Sequence, residues 1–206
     1  MFGHRGLPIV VFTVGLRRLI AAAFLLQMGL PYRALAQSQL DAENLIVARP
    51  PGWKTGSQTS HDNRSMAEWV PASETVDDWT QMITVGVYRH ATVDATTFLQ
   101  RITQQWLAAC PGSQAKGIVT GQTNAYVVSM QVLTCPKNPT TGKPEVTAFR
   151  AIKGQDALYS VQRAFRSLPN DADYNDTIHF LSTVTVCDTR TPAHPCPGLG
   201  SAVSQP

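Results

Sequence analysis

Acidic residues are missing from the first 36 positions of this 206-residue chain, although that stretch carries Arg5, Arg17, Arg18 and Arg33. It also contains the apolar run Leu19-Ile20-Ala21-Ala22-Ala23-Phe24-Leu25-Leu26 and closes on the small-residue triplet Ala34-Leu35-Ala36. A basic start, an apolar middle and an A-x-A end are the order of a secretory signal, so residues 1–36 are expected to be cleaved before Gln37. Read as a retained anchor, Leu7–Leu30 would carry Arg17-Arg18 into the bilayer at a cost of about 2.5–3.5 kcal/mol each. No stable membrane span is therefore expected after cleavage, and the working protein is expected in the periplasm or outside the cell.

A surplus of positive charge is also lacking. The chain has 17 Lys and Arg against 14 Asp and Glu, a net charge of +3, but four of those bases lie in the export segment and none of the acids does. The remainder has 13 bases and 14 acids, a net charge of −1. Without clustered Lys and Arg, a domain has no electrostatic footprint for nucleic acid or an anionic membrane, and both are excluded as partners.

Signatures of chemistry are scarce. There is no G-x-S-x-G elbow, no H-E-x-x-H pair, no Walker loop and no C-x-x-C. Gly142-Lys143 looks like half a phosphate loop, but Lys137 stands where its first glycine should be and Pro144 follows, so it reads as a turn. Glu74, Asp77 and Asp78 fit no calcium loop and read as a solvated acidic turn. No catalytic residue, metal or cofactor is expected.

What the exported part does contain is four cysteines, Cys110, Cys135, Cys187 and Cys196. An even count in an oxidising compartment implies two bridges, and arithmetic allows three connectivities. Cys110–Cys135 and Cys187–Cys196 are favoured: the first would tie a helix end to a strand end, and the second would pin a proline-rich tail. Metal carriage would instead require free thiols at Cys187 and Cys196, beside His194.

Hydrophobic periodicity sets out the elements. Leu45–Ala48 reads as a strand stopped by Pro50-Pro51-Gly52-Trp53, residues 54–65 as an exposed loop, and Glu68–Pro71 as a short strand. Gln81–His90 alternates with period two. From Asp94 the apolar spacing becomes helical through Phe98, Leu99, Ile102 and Trp106 until Pro111-Gly112, with Thr92 or Asp94 as cap. Ala125–Thr134, Val146–Ile152 and Leu158–Phe165 read as strands, with Gly154-Gln155-Asp156 as a hairpin loop, and a second helix runs from Asp173 to Val186. The expected class is α+β, with an antiparallel sheet of about five to six strands covered by two main helices. Residues 37–187 would form one domain and 188–206 a tail partly pinned by a disulfide.

The strand running into Pro51-Gly52-Trp53, the single central helix, the three-strand meander and the C-terminal helix resemble the small α/β/α sandwiches of the PsbP-like family, over roughly residues 44–187. That resemblance implies a non-catalytic role, binding partners or stabilising larger assemblies. Two disulfides and the long connection at 136–144 depart from the family, and it assigns no functional residue here.

Candidate contact residues come from the residues themselves. Trp53, Trp69 and Trp79 fall in or beside the loops preceding the strand at 81–90, where they could form one aromatic patch for another envelope or secreted protein. Arg163 shares a strand face with Tyr159, Val161 and Phe165, so it needs an acid partner, a carbonyl or a ligand. The reading is a non-catalytic exported interaction domain; the alternative is an envelope-associated hydrolase using His179 and an Asp as acid and base.

Overall fold

The computed structural model describes residues 40–197; residues 1–36, expected as an export signal, and the last residues of the tail lie outside the described residues. Strands β1 (Glu43–Ile46), β2 (Trp53–His61), β3 (Arg64–Pro71) and β4 (Gln81–Arg89) precede helix α1 (Ala95–Ala109). Then follow β5 (Gln114–Ala115), β6 (Val119–Thr123), β7 (Tyr126–Cys135), β8 (Glu145–Lys153) and β9 (Ala157–Phe165). Helix α2 (Asp171–Thr183) and β10 (Thr185–Asp188) are the last elements among the described residues.

The α+β class and the two helices agree with the sequence, but the sheet is larger than five to six strands. Its order is β2-β3-β4-β9-β8-β7-β5, with β6 also paired to β7, eight strands in all, and β1 and β10 form a separate antiparallel pair. The residues expected as a loop at 54–65 are the β2–β3 hairpin. Strand β2 is exposed along nearly its whole length, so no apolar face marks it; its ladder to β3 holds it in place. A bulge at Thr55/Ser57 marks Gly56, where an added Cβ would meet Val76 Cγ1 at 2.7 Å as the 72–80 loop crosses. The second helix ends at Thr183 rather than Val186, and Thr185 begins β10.

The two sheet faces are covered differently. On one, Ile83, Val85, Val132, Ala148, Ile152, Tyr159 and Val161 meet Leu181 and Val184 at the end of α2 together with Leu45 and Val186 of the β1–β10 pair. On the other, Leu133, Phe149 and Ala151 receive Ala95 and Leu99 of α1, while Val70, Met82 and Ala164 receive Trp79. Asp94 caps α1 by accepting from the Thr97 amide at 2.8 Å, and Asn170 caps α2 by accepting from the Asp173 amide at 2.8 Å.

Both favoured disulfides are present. Cys110 at the end of α1 is bonded to Cys135 at the end of β7, and Cys187 of β10 to Cys196 of the tail. The tail is held further by His194, whose ring stacks on Tyr126 at 3.8 Å between centroids and whose Nδ1 lies 2.8 Å from the Asn124 carbonyl oxygen. A carboxylate locks the same end of the fold. Glu43 Oε1 accepts from the Asp156 and Ala157 amides at 3.1 and 3.3 Å and from Tyr159 OH at 3.0 Å, while Oε2 accepts from the Gln155 amide and Tyr126 OH. The β1–β10 pair is thereby fixed to the β8–β9 turn.

Candidate binding groove around Arg163

Antiparallel pairing places Trp69 opposite Ile83, Ile83 opposite Arg163, and Arg163 opposite Ala148. With period two along each strand, these side chains form one row on the face that α2 covers. Arg163 is 7% exposed, so its guanidinium is largely removed from water and must find donors' partners inside the protein. Nη1 donates to Asp176 Oδ2 on α2, and Nη2 donates to Gln81 Oε1 on β4 at 2.8 Å. Nε is buried without a partner. The guanidinium carbon lies 5.6 Å from the Trp53 ring centroid and 5.4 Å from that of Phe165, within cation–π range of both.

This arginine lines a groove of about 520 Å³ between α2 and the β1–β2 connection, together with Ile46, Pro50, Pro51, Asp176, His179 and Phe180. The prolines fix one wall because their φ angles are locked. The expected aromatic cluster divides. Trp53 and Trp69 are half-buried on the Arg163 face, whereas Trp79 is buried against the opposite face with Arg166 at 4.0 Å over its ring. Trp79 therefore belongs to a separate surface from the groove.

His179 is exposed and lines the groove beside Asp176. The lining offers no Ser or Cys as nucleophile, and its hydroxyl, Thr183 Oγ1, donates to the Phe180 carbonyl at 2.7 Å. The quartet Ser113-Gln114-Ala115-Lys116 matches the S-x-x-K pattern, but β5 is extended there, and residues three apart on a strand point to opposite faces. Among the described residues no group of three or more His, Cys, Asp or Glu is arranged to hold a metal ion. All four cysteines are disulfide-bonded, which removes the thiols that metal carriage would need. The acidic turn is used internally: Glu74 accepts from the Thr80 amide at 2.8 Å and from the Thr80 hydroxyl at 2.6 Å.

Sequence reasoning placed Arg163 on a largely apolar face and called for an acid, a carbonyl or a ligand, but did not find Asp176 or Gln81. It missed Arg150 altogether, although Val146, Ala148, Arg150 and Ile152 alternate on that same face. Among the described residues no helix is long and apolar enough to cross a membrane.

No family model matches the chain, and no curated protein does. Solved structures with a similar fold include LpqN of Mycobacterium tuberculosis, involved in cell envelope biogenesis, at 15% identity over 72% of this chain and 86% of that one, with a TM-score of 0.45. The Saccharomyces cerevisiae Ran-binding protein Mog1p has 12% identity over 69% and 92%, with a TM-score of 0.44. Cyanobacterial PsbP from Synechocystis has 9% identity over 73% and 95%, with a TM-score of 0.43. These matches are spread over several distinct proteins and are not specific to the PsbP-like family.

Proposed function

We propose that the chain is an exported, non-catalytic binding domain that engages another envelope or secreted protein through the groove lined by Arg163, with Trp53 beside the guanidinium. The observation that carries this reading is the arginine itself: a buried guanidinium held by Asp176, Gln81 and two aromatic rings, at the edge of a groove with apolar and proline walls. A preorganised arginine beside an aromatic side chain is the composition of a binding hot spot. Arg49 and Arg163 outnumber the one acid, Asp176, in the lining, so the partner segment is apolar and carries a carboxylate. Export is supported by two disulfides, which persist where thiols are not kept reduced.

The test is native mass spectrometry of the chain recovered from its own host, with Trp53→Ala, Arg163→Met and a remote control, Leu168→Ala. A partner bound by the parent and the control but lost from both groove variants is the expected result. Retention of every partner by both groove variants refutes the reading, as does release of a small-molecule turnover product that depends on His179.

A further inference from the structure

A second cavity, of about 260 Å³, opens between α2 and the β5–β7 edge. Its walls are apolar: Val119, Met130 and Val132 from the sheet, and Tyr174 and Ile178 from α2. No acidic side chain contributes to its lining, and Lys116 does. The backbone around Lys116 is fixed, since its amide donates to the Val132 carbonyl at 2.9 Å and its carbonyl accepts from Gln131 Nε2 at 2.9 Å. Its ammonium lies 5.1 Å from the Tyr174 ring centroid, and it belongs to none of the salt bridges among the described residues.

Behind one wall stands a second cation. Arg150 is 6% exposed, and among the described residues its buried Nε has no partner and its Nη1 donates only to Met130 Sδ, at 3.5 Å. A thioether is a weak acceptor and no carboxylate pairs with this arginine among the described residues, so the positive charge at this end of the face is uncompensated. Met130 is itself a wall residue, and an unbranched side chain with three rotatable bonds can give way to an occupant.

We propose that this cavity binds a small apolar monoanion, a carboxylate on a hydrocarbon body, with Lys116 pairing the carboxylate and Arg150 adding positive charge behind Met130. The volume falls below the range of about 300–1,000 Å³ for drug-sized ligands, which restricts the occupant to a compact molecule. This site is separate from the Arg163 groove, and either can fail without the other.

The probes are octanoate, octanol and octylammonium, added to the full chain and followed by calorimetry and by the methyl resonances of Met130 and Ile178. Octanoate is expected to bind about tenfold more tightly than octanol, the equivalent of about 1.4 kcal/mol, and octylammonium not to bind. Lys116→Met should bring octanoate down to the octanol level, and Ile178→Trp should fill the cavity and abolish binding of both while the unfolding temperature is kept. Equal binding of octanoate and octanol, failure of octanoate to bind, or binding untouched by Ile178→Trp overturns the proposal.

Discussion

Replacing Asp176 by Asn should destabilise the domain more than replacing Arg163 by Met, although the two residues form one ion pair. The pair is lopsided: the Arg163 side chain is 8% exposed and that of Asp176 is 63% exposed. Removing the carboxylate strands a guanidinium in the interior, which costs about 3–5 kcal/mol when nothing compensates. Here Gln81 still accepts from Nη2, and water can enter where the exposed carboxylate stood. The expected loss is therefore about 2 kcal/mol, or about 4–8 °C in Tm for a chain of this size. Arg163→Met removes the buried charge and its unpartnered Nε, keeps an unbranched apolar stem, and returns Asp176 to water, so the change should stay within about 1 kcal/mol. In the Arg163→Met background, Asp176→Asn should become almost silent, at about 0.5 kcal/mol or less. Urea unfolding of the four-member cycle measures all three quantities. A cost for Asp176→Asn no larger than for Arg163→Met, or one that persists without the arginine, would refute the reasoning.

Three further outcomes follow from the other locks. Burial, followed by the Glu43 charge and its hydrogen bonds, pushes the Tyr126 and Tyr159 hydroxyls well above the ordinary value of 10.0. Because their native values are raised, the stability they contribute is full below about pH 10 and drains away as pH rises further. An ultraviolet titration should show both phenols protonated until the fold opens, whereas Glu43→Gln should bring them down and cost about 2–3 kcal/mol. The Cys110–Cys135 bridge spans 25 residues and Cys187–Cys196 spans 9, so serine pairs should cost about 3.5 and about 2.6 kcal/mol by loop entropy, read as shifts in denaturation midpoint. Asn124 and Ala125 form the two-residue turn between β6 and β7 with φ of 47° and 63°, and Ala125 lacks a side chain that eases a left-handed backbone. Ala125→Gly should therefore raise stability by about 0.5–1 kcal/mol in the same assay.

The central strands and both helices were legible because burial wrote a period into them. In β4, Ile83, Val85 and Val87 face one layer while Met82 and Thr84 face the other, and α1 keeps Phe98, Leu99, Ile102 and Trp106 against the sheet. The edges were not legible. Strand β2 and strand β6 are mostly exposed, so neither has an apolar side for a pattern to display, and each is a strand only because a neighbour supplies its hydrogen bonds. Strand β10 was hidden for another reason. Its four residues continue the apolar spacing of α2, and the break at Val184, which has extended dihedrals, is marked by no proline or glycine. The cysteine pairing was legible because each bridge joins an element end to a neighbouring segment, and no thiol remains to compete.

Site residues were readable only as demands. Period two says that Arg163 stands among apolar neighbours, and the cost of burying a charge says that something must answer it, but neither names Asp176 on a helix thirteen residues later. The same argument applied to β8 would have found Arg150, flanked at two-residue spacing by Ala148 and Ile152. The two arginines then part company in the fold. Arg163 is answered by a carboxylate and an amide, which makes it a rigid feature beside a groove; Arg150 is answered only by a sulfur, which leaves a charge in want of a counter-ion. Because a missing partner leaves no trace in a sequence, a demand of the first kind can be anticipated from strand periodicity, while one of the second kind emerges only when every neighbouring side chain is in place.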